Sequence, residues 1–294
     1  MNNNTQKTMY MLNQINVLQK CRTLAGVTFF AALLLPFVLQ GQSEITYRVS
    51  VAEAGLRGPV KHVQTHQTCD ATARRCFKVV EEEFNADGWR TAIVSIDSLG
   101  RFYTRYDYTS DGRLHSVIEG FPLAWDSIAF SYDKHGCLTG YNVFGTNVDT
   151  TGGKKSTRFT IQCDKQCRPL FHIAEWGDSS EYRYDSKGRL VYKALPGAEM
   201  TYYYDAKGRL ERIRTGAGRY VDQFFRYDKD DNLIESWHSD WEQDAGGEPN
   251  PSPHIRYTIL KTDSHGNWTK AKTRVTESGK TYTCTIERVI SYYE

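Results

Sequence analysis

The stretch Tyr184-Asp185-Ser186-Lys187-Gly188-Arg189-Leu190 recurs almost unchanged as Tyr204-Asp205-Ala206-Lys207-Gly208-Arg209-Leu210, and this frame decides the fold. Asp at the start of a type I turn accepts hydrogen bonds from its own downstream N–H groups, and Gly four residues after the aromatic takes the left-handed conformation. Such a turn closes a β-hairpin with a bulge. Looser copies follow at Phe84-Asn85-Ala86-Asp87-Gly88, Ile96-Asp97-Ser98-Leu99-Gly100-Arg101-Phe102, Tyr108-Thr109-Ser110-Asp111-Gly112-Arg113-Leu114 and Tyr132-Asp133-Lys134-His135-Gly136-Cys137-Leu138. Three more are Cys163-Asp164-Lys165-Gln166-Cys167, Tyr227-Asp228-Lys229-Asp230-Asp231-Asn232-Leu233 and Thr262-Asp263-Ser264-His265-Gly266-Asn267-Trp268, for nine copies in all. Asp133 with Gly136, Asp185 with Gly188, Asp205 with Gly208 and Asp263 with Gly266 are the reference turn pairs.

The residues flanking each turn read as strands. Glu181-Tyr182-Arg183-Tyr184 enters one turn and Arg189-Leu190-Val191-Tyr192 leaves it, with apolar or aromatic side chains on one face and charged ones on the other. The 19 Tyr and 13 Phe among 294 residues are β-formers, and the 39% of hydrophobic residues suffices for a globular core. Residues 44–294 therefore form one all-β domain. From Phe84 to Trp268 the frame resembles the YD repeat of the rearrangement-hotspot (Rhs) family, which also occurs in teneurins and bacterial wall-associated proteins. Leu56-Arg57-Gly58-Pro59-Val60-Lys61-His62-Val63 is similar to the entry strand of short exported bacterial members. In large members, the resemblance implies a β-ribbon spiralling into a hollow shell. No segment here resembles their self-cleaving core motif, and the expectation is a short member without a toxin. Nine hairpins supply too little sheet for a cage. The resemblance therefore predicts successive hairpins in one curled, open antiparallel sheet, a partial shell.

Ahead of this domain, Lys20 and Arg22 precede an apolar run from Leu24 to Leu39 that ends in Gln40, Gly41, Gln42 and Ser43. That pattern is a signal peptide over residues 1–43, cleaved near Ser43. The run is too short for a comfortable span of about 20 apolar residues. An exported protein of the periplasm, cell surface or extracellular space follows, with no stable membrane span after cleavage; an uncleaved anchor is the alternative. The net charge of +2 includes Lys7, Lys20 and Arg22 of the leader, so the domain is near neutral and has no electrostatic footprint for nucleic acid.

Beyond Cys21, six cysteines suit disulfides in an oxidising compartment. Cys69 with Cys76 and Cys163 with Cys167 are the local pairs expected; Cys137 and Cys284 are rival partners for the second. Neither pair has zinc-ligand spacing, and His62 and His66 on a strand stand about 13 Å apart. Neither metal nor cofactor is expected. Glu81, Glu82 and Glu83 read as a charged strand segment. No nucleophile elbow or phosphate loop occurs. The segment that leaves the repeat, Trp237 to Pro253, carries Trp237, Asp240, Trp241 and Asp244, in which indole faces beside carboxylates suit a sugar. The expected role is a structural or interaction protein of the envelope or surface, with glycan or an envelope protein as partner and no catalysis. The alternative is a hydrolase using the carboxylates of the 237–253 loop. The sequence leaves the oligomeric state open.

Overall fold

The computed structural model describes residues 48–70, 79–97, 100–121, 124–145, 156–217, 220–239, 254–277 and 280–294. The signal segment, Cys76, Asp240, Trp241 and Asp244 lie outside the described residues. Eighteen strands follow one another among the described residues. They are β1 Val60–Cys69, β2 Val79–Phe84, β3 Arg90–Asp97, β4 Gly100–Tyr108, β5 Leu114–Phe121, β6 Ala124–Tyr132, β7 Leu138–Gly145, β8 Ser156–Cys163 and β9 Pro169–Ala174. They continue as β10 Ser179–Tyr184, β11 Leu190–Leu195, β12 Ala198–Tyr204, β13 Leu210–Gly216, β14 Tyr220–Tyr227, β15 Leu233–His238, β16 His254–Thr262, β17 Trp268–Glu277 and β18 Lys280–Tyr292.

Each strand pairs antiparallel with the next, and β1 pairs with both β2 and β18, from His62↔Glu83 to Cys69↔Cys284. The sheet is therefore a closed 18-stranded antiparallel barrel, not the open curled sheet expected from the repeat. Closure joins the two ends of the chain, a pairing that local turn frames do not specify. An even number of strands lets an up-and-down meander close without a parallel pair, and closure removes the exposed edges an open sheet would carry.

Eight bulged turns gather at one end of the barrel, after β2, β4, β6, β8, β10, β12, β14 and β16. In the turn of Asp185, Oδ1 accepts from the N–H groups of Lys187 and Arg189, Oδ2 accepts from Arg189 Nε, and Gly188 N–H donates to the Asp185 carbonyl. Asp205, Asp164, Asp133 and Asp263 accept their downstream N–H groups in the same way. Gly136, Gly188, Gly208 and Gly266 have φ of 85°, 79°, 87° and 79°, and Cys167 and Asp231 take the same slot at 61° and 64°. The ninth frame, Ile96 to Phe102, is not such a turn. Asp97 pairs directly with Gly100 in an unbulged hairpin at the opposite end of the barrel.

Inward positions are apolar: Leu114, Val117, Ile128, Leu138, Ile161, Tyr182, Leu190 and Leu210 line one wall, and Val80, Ile255, Val275 and Ile286 another. Along β17 the outward positions are charged or hydroxylated: Ala271, Thr273 and Val275 are buried and Lys272, Arg274 and Thr276 exposed. Glu81 to Glu83 lie in β2, a charged strand segment as the sequence reads, and Glu82 is its inward member. It pairs with Arg90 at 2.7 Å, both side chains 5% exposed. The segment before β1 packs on the bulged-turn end: Ala54 and Leu56 join Val60, Val63 and Phe84, and Asn267 exchanges two hydrogen bonds with the Arg57 backbone.

The disulfides also differ from expectation. Cys69 joins Cys284, its register partner across β1 and β18, and Cys137 joins Cys167 on the adjacent hairpin. Cys163 is a free thiol. It occupies the tyrosine position and donates to the Leu138 carbonyl at 3.3 Å, whereas Cys167 sits at the exposed turn position, so the expected Cys163–Cys167 bridge does not form.

Two outcomes follow. A Cβ on Gly208 would need positive φ and would meet Arg189 Nη1 at 3.3 Å, so Gly208→Val should lose about 1 kcal/mol or more relative to Gly208→Asn in denaturant melts. Non-reducing peptide mapping should recover Cys69 linked to Cys284 and Cys137 to Cys167, and a Cys163–Cys167 fragment would contradict this pairing.

Candidate binding site on the outer face

Trp237, singled out from the sequence, lies on β15 and faces out of the barrel. Phe225 faces inward on β14 and pairs with Ser236, so its neighbour Phe224 and the register partner Trp237 face outward; the bulge between Leu233 and Glu235 is why the inward Leu233 does not carry Trp237 with it. Register then lines up Tyr203, Arg212, Phe224, Trp237 and His254 across β12 to β16. Arg212 lies 3.8 Å over the Tyr203 ring, Phe224 and Trp237 stack with centroids 5.2 Å apart, and His254 meets Trp237 at 5.9 Å. Trp237 is half-buried, held flat by its neighbours.

Beside this row, toward the rim opposite the bulged turns, is a recess of about 410 Å³ on β11 to β14. Its walls are Tyr192 and Tyr220, and Gly197, Ala198, Gly216 and Ala217 leave the space between them. Both hydroxyls donate to one carboxylate: Tyr220 to Glu199 Oε1 at 2.8 Å and Tyr192 to Oε2 at 3.1 Å. Those bonds to Glu199 push both phenols above their ordinary pKa, so they stay protonated. Gly216 is required for space, since a Cβ there would come within 2.7 Å of the Tyr220 ring. Arg183 and Arg214 cover the outer faces of Tyr192 and Tyr220 at 4.6 and 5.7 Å. Arg214 grips Asp222 with two bonds of 3.0 and 2.9 Å, and these hold the Asp222 carboxyl below its usual range.

The aromatic row ends at a second charged group. Glu235, 5% exposed in its side chain, receives Arg226 at 2.6 Å and both His254 and Arg256 at 2.7 Å. Burial pushes its pKa up, but the bonds from Arg256 and His254 and the charge of Arg226 outweigh that and lower it. Chemically the face offers flat rings, a fixed carboxylate acceptor and guanidinium donors, the group types that suit a polyhydroxylated ligand with apolar faces.

The sequence reading reached Trp237 and missed Tyr192, Glu199 and Tyr220. The available signal was two small-residue turns, Gly197-Ala198 and Gly216-Ala217, bordering tyrosine-bearing strands, which come together only through the β12–β13 register. Asp133, Asp185, Asp205 and Asp263 lie in turns at the other end of the barrel, apart from this face.

No protein-family model matches the chain, and no curated protein matches it. Among solved structures, a porin-like protein from Bacteroides uniformis aligns with a TM-score of 0.43 and 11% identity over 80% of this chain and 99% of that one. A TcdB2–TccC3 crystal structure aligns at 0.37 and 17% identity, and the Tc holotoxin pore of Photorhabdus luminescens at 0.34 and 14%, each over 71% of this chain. The chain spans 12% and 16% of those two chains.

Because the folded-state pKa of Glu235 is depressed, its contribution to stability is present above the unfolded value of about 4.3 and lost as pH falls through the folded one. Urea melts of the wild type should therefore weaken below about pH 4.3, and Glu235→Gln should flatten part of that slope.

Proposed function

We propose that this is an exported envelope protein that binds glycan on the outer face of β11 to β15 and catalyses no reaction. The observation that carries the reading is the recess itself, where two tyrosine rings flank a single carboxylate whose oxygens are fixed by their hydroxyls. A carboxylate positioned between rings can accept from sugar hydroxyls while the rings cover C–H faces. On the same outer face, the half-buried Trp237 stacked on Phe224 at 5.2 Å adds a second flat aromatic surface.

The outer wall supports a barrel standing in water. A membrane-spanning barrel presents an apolar band outward, and each Lys or Arg at its midplane costs about 2–4 kcal/mol. Here Arg226, Arg256, Lys272 and Arg274 point outward from the strands. No helix among the described residues is long and apolar enough to cross a membrane. The eight bulged turns and their Asp, Gly and Arg positions support membership of the YD-repeat family. The hydrolase alternative rests on the carboxylates of the 237–253 loop, which lie outside the described residues.

Glycan-array screening of the protein beside Gly216→Val, Tyr220→Ala and Trp237→Ala tests the proposal. Binding to a defined set of glycans, reduced in all three variants with melting temperatures retained, is expected. Absence of any retained glycan, or binding indifferent to all three substitutions, would overturn it.

A further inference from the structure

Two residues along from the aromatic row, the outer wall turns basic. Register carries Arg226 on β14 to Glu235 on β15, Arg256 on β16, Arg274 on β17 and Thr283 on β18. The next outward row holds Thr258, Lys272 and Thr285 on β16 to β18. Arg226, Arg256, Lys272 and Arg274 are all exposed. Arg256 and Arg274 stand directly opposite each other, and like charges so placed destabilise a strand pair.

Other outward arginines have an acid at hand: Arg214 meets Asp222 at 2.9 Å, Arg183 meets Glu181 at 2.7 Å and Arg105 meets Asp107 at 3.3 Å. In the basic stretch the acids are already taken. Glu235 is shared by Arg226, His254 and Arg256. Glu287, the acid among the outward residues described on β16 to β18, receives Lys270 at 2.6 Å, and Asp70, past the end of β1, accepts the Thr283 N–H at 2.7 Å. Among the described residues, neither Lys272 nor Arg274 has an ion-pair partner. Two cations are thus left to solvent, with Thr283 as the register neighbour of Arg274 and Thr258 and Thr285 as those of Lys272.

This stretch continues the aromatic surface. From Trp237, Arg274 is two strands across and two residues along, about 12 Å on a strand spacing of about 4.8 Å and a rise of about 3.4 Å per residue. A single sugar does not cover that distance, whereas a chain laid across the strands does. We infer that the outer face takes an anionic glycan, whose carboxylate- or sulfate-bearing units lie over Arg274 and Lys272 while a neighbouring unit stacks on Trp237. The inference rests on the glycan-binding reading of this face and names the ligand class. Glu199 would repel an acidic group in the recess, so the unit between Tyr192 and Tyr220 is neutral and the acidic groups belong beyond Trp237. Carboxylate and sulfate share the chemistry read here, an anion that accepts from guanidinium and ammonium.

Glycan arrays printed with neutral, uronate-bearing and sulfated oligosaccharides, together with a single-stranded DNA oligonucleotide, test this. Retention of acidic oligosaccharides over neutral ones is expected, weakening several-fold between about 0.1 M and about 1 M salt as exposed charges are screened. Retention of uronates alone identifies a carboxylate ligand, and of sulfated chains alone a sulfate ligand. The double variant Lys272→Gln, Arg274→Gln should lower acidic retention about tenfold, the loss of two charge-assisted bonds. It should keep its melting temperature, because the change relieves the repulsion between Arg256 and Arg274. Neutral oligosaccharides retained as well as acidic ones, in a manner sensitive to Trp237→Ala, would overturn this inference and leave the glycan-binding reading standing; no retained glycan would overturn both. Acidic retention indifferent to the double variant, or equal retention of the DNA, would also overturn it.

Discussion

The barrel wall depends on how each hairpin is fastened to the one before it: a tyrosine hydroxyl donates to a backbone carbonyl of the preceding hairpin. Tyr132 donates to Leu114, Tyr204 to Leu190, Tyr227 to Leu210, and Tyr108 to Arg90, at 2.7 to 3.0 Å. The arginine of the earlier turn then lies over that tyrosine: Arg189 over Tyr204 at 4.4 Å and Arg209 over Tyr227 at 4.9 Å. Each arginine is anchored by its own turn aspartate, and Arg189 also reaches the left-handed Gly208 of the next turn. Each such bond contributes about 0.5–1.5 kcal/mol net and each cation–π contact about 0.5–1 kcal/mol. Repeated from hairpin to hairpin, they fix the stagger between neighbours and so the curvature of the wall.

This coupling explains the repeat residue by residue. Asp is needed twice, by the turn amides and by the arginine; Gly serves both the left-handed backbone and the approach of the preceding guanidinium. Where one member changes, its partners change with it. Cys137 stands at an arginine position and Cys167 at the next turn's glycine position, so a contact made elsewhere by Arg189 and Gly208 becomes the covalent Cys137–Cys167 bond. Without a guanidinium to cover it, the following tyrosine position holds Cys163, whose thiol still donates to the Leu138 carbonyl. At Asp231 the substitution works differently: its carboxylate receives Arg209 at 2.7 Å, trading glycine's backbone ease for an ion pair.

Closure turns this local chain of contacts into a rigid frame on which the outer recess depends. Pairing β1 with β18 locks the register around the barrel, and the Cys69–Cys284 bond secures the seam. With register fixed, Glu199 falls between Tyr192 and Tyr220 on the outside.

The sequence by itself determined the eight bulged hairpins, their turn chemistry and the alternation of faces along a strand, because a type I turn with its bulge and the two-residue strand period are set by residues fewer than ten apart. Asp185, Gly188, Asp205 and Gly208 were legible for that reason, and so was the aromatic character of Trp237. What lay beyond local reach was decided by tertiary structure. An open and a closed meander have the same turns and differ in whether Val60–Cys69 meets Lys280–Tyr292, a contact spanning 215 residues at its disulfide. The cysteine pairing followed the contacts between adjacent hairpins rather than proximity in sequence. Glu82, the middle of three consecutive acidic residues, was drawn inward by strand alternation and by Arg90. The recess around Glu199 exists only where three or four strands align, since the side chains that build it are ordinary strand residues until register brings them together.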